Sequence, residues 1–89
     1  MARKIDDKTD FSFAVKLEDS REIRKLEARL WRYGQIVTNQ YVRVEDRWGR
    51  MTVRGALYVL KVPRSQIAII KHSLTKLSQR NGFTVFFFC

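Results

Sequence analysis

The stretch from Gln35 to Val62, QIVTNQYVRVEDRWGRMTVRGALYVLKV, decides the fold. It holds two long β-runs, Gln35 to Asp46 and Met51 to Val62, joined at Trp48-Gly49, and such runs around a Gly-containing connection read as a hairpin. With Trp48-Gly49 as the tip, Arg47 meets Arg50, Glu45 meets Thr52, Arg43 meets Arg54 and Tyr41 meets Ala56. A four-residue loop from Arg47 to Arg50 keeps the same parity. One face then collects Gln40, Val42, Val44, Met51, Val53, Gly55, Leu57 and Val59, which we expect to be core. The other collects Asn39, Tyr41, Arg43, Glu45, Arg47, Arg50, Thr52, Arg54, Ala56 and Tyr58, which we expect to face outward. A slip of one residue would mix the two sets, so the pattern itself argues for this register.

The flanks of the hairpin have a common layout. Before it, Phe11, Phe13, Val15 and Leu17 alternate with smaller or charged residues as in a half-buried strand. Asp19 with Glu22 is a capping-box spacing, and Ile23, Leu26, Leu30 and Tyr33 then form a helical apolar stripe that Gly34 ends. The helix carries Arg21, Lys25, Arg29 and Arg32 as a second stripe. After the hairpin, Pro63 opens a second helix whose Ile67, Ile70, Leu74 and Leu77 repeat the first spacing, and Asn81-Gly82 stops it. A last strand runs from Phe83 to Cys89. The order β-α-β-β-α-β predicts an α+β, ferredoxin-like sandwich. Right-handed crossovers would put both helices on one face of a four-stranded antiparallel sheet, with the first and third strands central. Residues 1–10 read as a flexible lead-in and 11–89 as one domain.

Charge is distributed very unevenly. After Asp46 there is no further carboxylate side chain, yet Arg47, Arg50, Arg54, Lys61, Arg64, Lys71, Lys76 and Arg80 follow. Nearly all of the net charge of +9 therefore sits in the second half. Self-repulsion of this kind costs stability and attracts polyanions. At 45% apolar residues the chain can bury a real core, so it is not a disordered basic tail. The uncharged stretch Asn81 to Cys89 is too short to span a bilayer, and Met1 to Asp10 does not have a signal-peptide pattern. Cys89 is the one cysteine, which fits a reducing, cytoplasmic setting.

The segment Leu26-x-x-x-Leu30-x-x-Tyr33-Gly34-x-Ile36-Val37 looks like the first helix end and second-strand entry of the RNA-recognition motif. Arg54-Gly55-Ala56-Leu57-Tyr58-Val59 looks like its RNP1 strand, K/R-G-F/Y-G/A-F-V-x-F/Y. Arg54, Gly55 and Val59 fit, and Tyr58 stands at the fifth, outward-facing aromatic position. Ala56 removes the other outward ring, Leu57 replaces a small residue, and Lys61 replaces the final aromatic. The outward residues of the first strand, Ser12, Ala14 and Lys16, supply no ring either. The resemblance implies RNA binding on the open sheet face without the usual pair of stacking rings.

Nothing in the chain suggests catalysis. His72, the single histidine, has no carboxylate after it or near it in sequence, and there is no CxxC, Gly-rich phosphate loop or metal-ligand spacing. We therefore expect no enzyme activity, no cofactor and no metal. The expected function is binding of RNA or single-stranded DNA by Tyr41, Arg43, Arg54 and Tyr58, with Arg47, Trp48 and Arg50 as a clamp, in a regulatory or architectural role. The alternative for Trp48 is that it folds back over the sheet. The rival function is a protein-binding adaptor or inhibitor, of the sort mobile genetic elements encode, docking on an acidic protein surface. A homodimer built on the last strand belongs with that rival, because Phe86 and Phe88 (or Phe83 and Phe87) are left on its outer face at a sheet edge.

Overall fold

Alternation in the first strand sets the inner side of the molecule. In the computed structural model, which describes residues 7–88, β1 spans Lys8–Lys16 and buries Phe11, Phe13 and Val15 on one face. Elements follow as α1 (Glu22–Tyr33), β2 (Gln35–Glu45), β3 (Met51–Pro63), a 3₁₀ turn at Arg64–Gln66, α2 (Ile67–Asn81) and β4 (Thr84–Phe87). The four strands form one antiparallel sheet in the order β2-β3-β1-β4, so the first and third strands are central as expected, and the class is α+β. Lys8 to Asp10, read from sequence as the end of a lead-in, are strand, paired with Pro63 to Lys61. Residues 1–6 and Cys89 lie outside the described residues.

The two apolar stripes close the core over β1 and β3. Leu26 and Leu30 of α1 and Ile70 and Leu74 of α2 are buried with Phe11, Phe13, Tyr58, Leu60 and Val62 in one cluster. Ile23, Tyr33, Ile67 and Leu77 pack on its margin. The start of α1 differs from the expected capping box. Asp19 accepts from the Arg21 backbone N–H and from its guanidinium, each at 2.9 Å, and the Glu22 side chain caps nothing. The same Arg21 hydrogen bonds hold the Asp19 carboxyl below its ordinary pKa.

The hairpin face is the main correction. Tyr58 is fully buried and Ala56 nearly so, while Val42, Val44 and Met51 are exposed. At Ala56 and Tyr58 the side expected to point outward is therefore the inner one. Pairing with β1 settles this: Tyr58, Ala56 and Leu60 lie opposite Phe13, Val15 and Phe11 and share their side of the sheet. Of the residues expected in the core, Val53 packs against it. It does so because a β-bulge intervenes. The expected pairs hold from Thr38–Val59 to Val42–Gly55, but Arg43 then pairs with Val53 and leaves Arg54 as the extra residue. A second bulge lies at Val37, between the Ile36–Leu60 and Thr38–Val59 pairs.

The two helix-ending glycines act by different means. Gly82 sits at φ 71° and its N–H donates to Ser78 at 2.9 Å, the left-handed end that Asn81-Gly82 suggests. Gly34 is extended, and its constraint is contact: a Cβ there would lie 2.2 Å from the Lys61 carbonyl oxygen. A methyl at 34 must push β3 away. Gly34→Ala should thus cost about 3 kcal/mol or more, at the upper end for overpacking, whereas Gly82→Ala should cost about 1–2 kcal/mol for the left-handed backbone. Urea denaturation of the two variants should rank them in that order, and equal losses would contradict the contact argument.

Candidate nucleic-acid interface

β1 pairs with β3 only as far as Gly55, so Met51–Arg54 and the facing end of β2 project beyond the sheet as a two-stranded ribbon. Its tip is a three-residue loop, Arg47-Trp48-Gly49, rather than the two- or four-residue turn expected. The Asp46 N–H donates to the Arg50 carbonyl at 2.8 Å, the Gly49 N–H to the Asp46 carbonyl at 3.0 Å, and Gly49 takes φ 78°. This is a turn closed by a left-handed glycine, one of the common hairpin ends. Asp46 also accepts from the Trp48 and Arg50 backbone N–H groups, each at 2.9 Å. Three side chains are presented by this braced loop. Trp48 is 71% exposed, with the Arg47 and Arg50 guanidinium carbons 5.6 and 5.7 Å from its ring. It does not fold back over the sheet. Arg50 also approaches Asp46, at 3.7 Å, whereas Arg47 has no carboxylate partner among the described residues.

The other expected site residues are placed differently. Arg43 is exposed and lies over the Tyr41 ring at 5.8 Å. Arg54 is exposed in the bulge, and its guanidinium donates to the Glu18 carbonyl at 2.8 Å, tying the ribbon base to the loop before α1. Tyr58 is unavailable to any ligand: its ring packs 5.5 Å from Phe13 and is 0% exposed. Its hydroxyl donates to Glu27 Oε2 at 2.8 Å, and the Tyr41 hydroxyl donates to the same oxygen. Burial first, and then the Glu27 hydrogen bond, push the Tyr58 phenol pKa far up. The Tyr41 phenol is raised chiefly by its own bond to Glu27. Both phenols are thus tied to α1 through one carboxylate, Tyr58 from the core and Tyr41 from its half-buried margin.

Glu27 was not singled out in the sequence, although a carboxylate beside Leu26 and between Ile23 and Leu30 borders the apolar stripe. It joins α1 to both β2 and β3. Glu27→Ala should leave the buried Tyr58 hydroxyl without an acceptor and cost about 1–3 kcal/mol, read by urea denaturation, with Glu27→Gln costing less. Because both phenols bind their protons more tightly in the folded chain, their contribution is complete below about pH 10, the ordinary tyrosine value. It is lost as the pH rises further. Stability should therefore fall above that pH.

The open face of the sheet, away from the helices, is apolar rather than arginine-rich. Phe86 and Phe88 are 50% and 57% exposed. Phe86 stands opposite Ala14, which in turn faces Leu57, and β4 pairs only with β1 among the described residues. On the opposite side of the molecule, cations from α1 and α2 converge along a groove that sequence reading did not assemble. Its signal was the arginine stripe of α1, whose partner cations on α2 become visible only when the helices are set side by side.

Comparison of the chain with models of protein families, with curated proteins and with solved structures gives no significant match in any of the three. No helix among the described residues is long and apolar enough to cross a membrane.

Proposed function

We propose that this chain is a ferredoxin-like, non-enzymatic protein of the cytoplasm that binds RNA or single-stranded DNA with the tip of its ribbon, in a regulatory or architectural role. The observation that carries the reading is Trp48, an indole held out in water on a braced loop between two guanidinium groups. A ring so placed is suited to stack on an unpaired base, worth about 1–3 kcal/mol per base, while Arg43, Arg47 and Arg50 take neighbouring phosphates. The strand order, with β1 and β3 central, is compatible with the ferredoxin-like topology. The stacking role that the resemblance to the RNA-recognition motif gave to Tyr58 passes to Trp48, and the site moves from the sheet face to the ribbon end.

Trp48→Ala should weaken binding of a labelled single-stranded oligonucleotide by about 5- to 150-fold, the equivalent of 1–3 kcal/mol, without loss of fold. Replacing Arg43, Arg47 and Arg50 by Ala should flatten the log–log salt dependence by about 2, at roughly 0.7 per phosphate contact. Wild-type affinity in both variants, measured by fluorescence anisotropy, rules the tip out.

A second reading rests on the exposed Phe86 and Phe88 at a sheet edge, on the face that also carries the half-buried Leu57 and Val59 of central β3. Edge strands with apolar side chains recruit other chains, so this face would join two copies of the protein or seat a protein partner. Sedimentation should show a dimer at tens of micromolar that Phe86→Lys or Phe88→Lys converts to a folded monomer. A wild-type monomer at high micromolar concentration removes the self-association reading.

A further inference from the structure

The α1–α2 groove encloses about 320 Å³ and continues into a shallower depression of about 180 Å³ that shares Arg29 and Leu77 with it. Lys25 near the start of α1 lines it together with Asn81 at the end of α2, so the helices run past each other in opposite directions. Leu26, Leu77 and Phe83 give it apolar walls. Into it come Arg29 and Arg32 from α1 and Lys76 and Arg80 from α2. Each pair is one helical turn apart, about 5–6 Å between Cβ atoms. Glu22 is the only carboxylate in the lining, and it lies 3.9 Å from Lys25. None of the four other cations has a carboxylate partner among the described residues.

Folding alone does not account for this arrangement. The helix dipole favours a cation in the last turn, which suits Arg32 and Arg80 but not Arg29 and Lys76, which lie further in. Like charges collected along low-dielectric walls repel one another and focus a positive field outward. Four cations in two ladders are more than a single anion needs, and they match a ligand whose negative charge is itself spaced along a chain.

We propose that the groove between α1 and α2 is a second nucleic-acid site, holding the phosphate backbone through Arg29, Arg32, Lys76 and Arg80. It rests on the reading that the partner is nucleic acid, but not on Trp48. The ribbon tip then engages bases and the helical groove engages the backbone.

The test uses the full chain and a fluorescein-labelled 20-nucleotide single-stranded RNA of mixed sequence, titrated at several salt concentrations. In the groove variant Arg29, Arg32, Lys76 and Arg80 are all replaced by Gln. A charge-matched control replaces Lys8, Lys16, Arg24 and Arg64 by Gln. The groove variant should lose about 3 from the log–log salt slope, at roughly 0.7 per contact, and the control less than about 1. Trp48→Ala should leave that slope unchanged, so the ribbon reading can fail while the groove stands. Thermal unfolding of the groove variant at low salt should be unchanged or higher, because repulsion has been relieved. Equal slopes in the groove variant and control overturn the proposal, as does a fall in thermal stability or equally tight binding of wild type to poly-L-glutamate at matched charge.

Discussion

The pairing of Tyr58 with Phe13 across β3 and β1, capped by the Tyr58 hydroxyl bond to Glu27, is the constraint on which the rest depends. It fixes which side of the central strands is inner. It gives α1 a polar anchor above an otherwise apolar contact, and through Tyr41 it attaches the edge strand β2 to the same carboxylate. A buried phenol needs an acceptor, and a carboxylate is a strong one. With that face fixed, Val42, Val44 and Val59 are left on the other.

Element order, helix stripes and the central position of β1 and β3 were legible because each rests on a local, repeated signal. Ile23, Leu26 and Leu30 in α1 and Ile67, Ile70 and Leu74 in α2 keep one spacing, and no alternative pattern competes with it. The hairpin face was not legible for the opposite reason. Between Gly55 and Val62 both parities are apolar, Leu57 and Val59 on one and Tyr58, Leu60 and Val62 on the other. Alternation cannot choose between two apolar sets, so the choice lies in the register on β1, which is long-range information.

The tip was half legible. Trp48-Gly49 marked the turn, and Arg47 and Arg50 marked its charge. The loop length depends on Asp46, whose side chain accepts from two backbone N–H groups and whose backbone pairs with Arg50. An odd loop shifts the strands by one residue, and the bulge at Arg54 shifts them back. Each offset hides the other from a reading that assumes continuous pairing. The groove was illegible because its cations belong to two helices separated by more than thirty residues of sequence.

The end of β1 pairing at Gly55 gives the molecule two levels of local stability. Behind that point β3 has a neighbour on each side, and opening it means opening the core. Ahead of it, beyond the Leu17 and Glu18 hydrogen bonds to Arg54, the ribbon is held by its own rungs, and an isolated two-stranded hairpin is marginal in water. Such a segment opens at far lower free energy than the domain behind it. Trp48 therefore rides on a part that can fray and re-form while Tyr58 and Glu27 stay bonded, so that reorganising the tip does not require unfolding the protein.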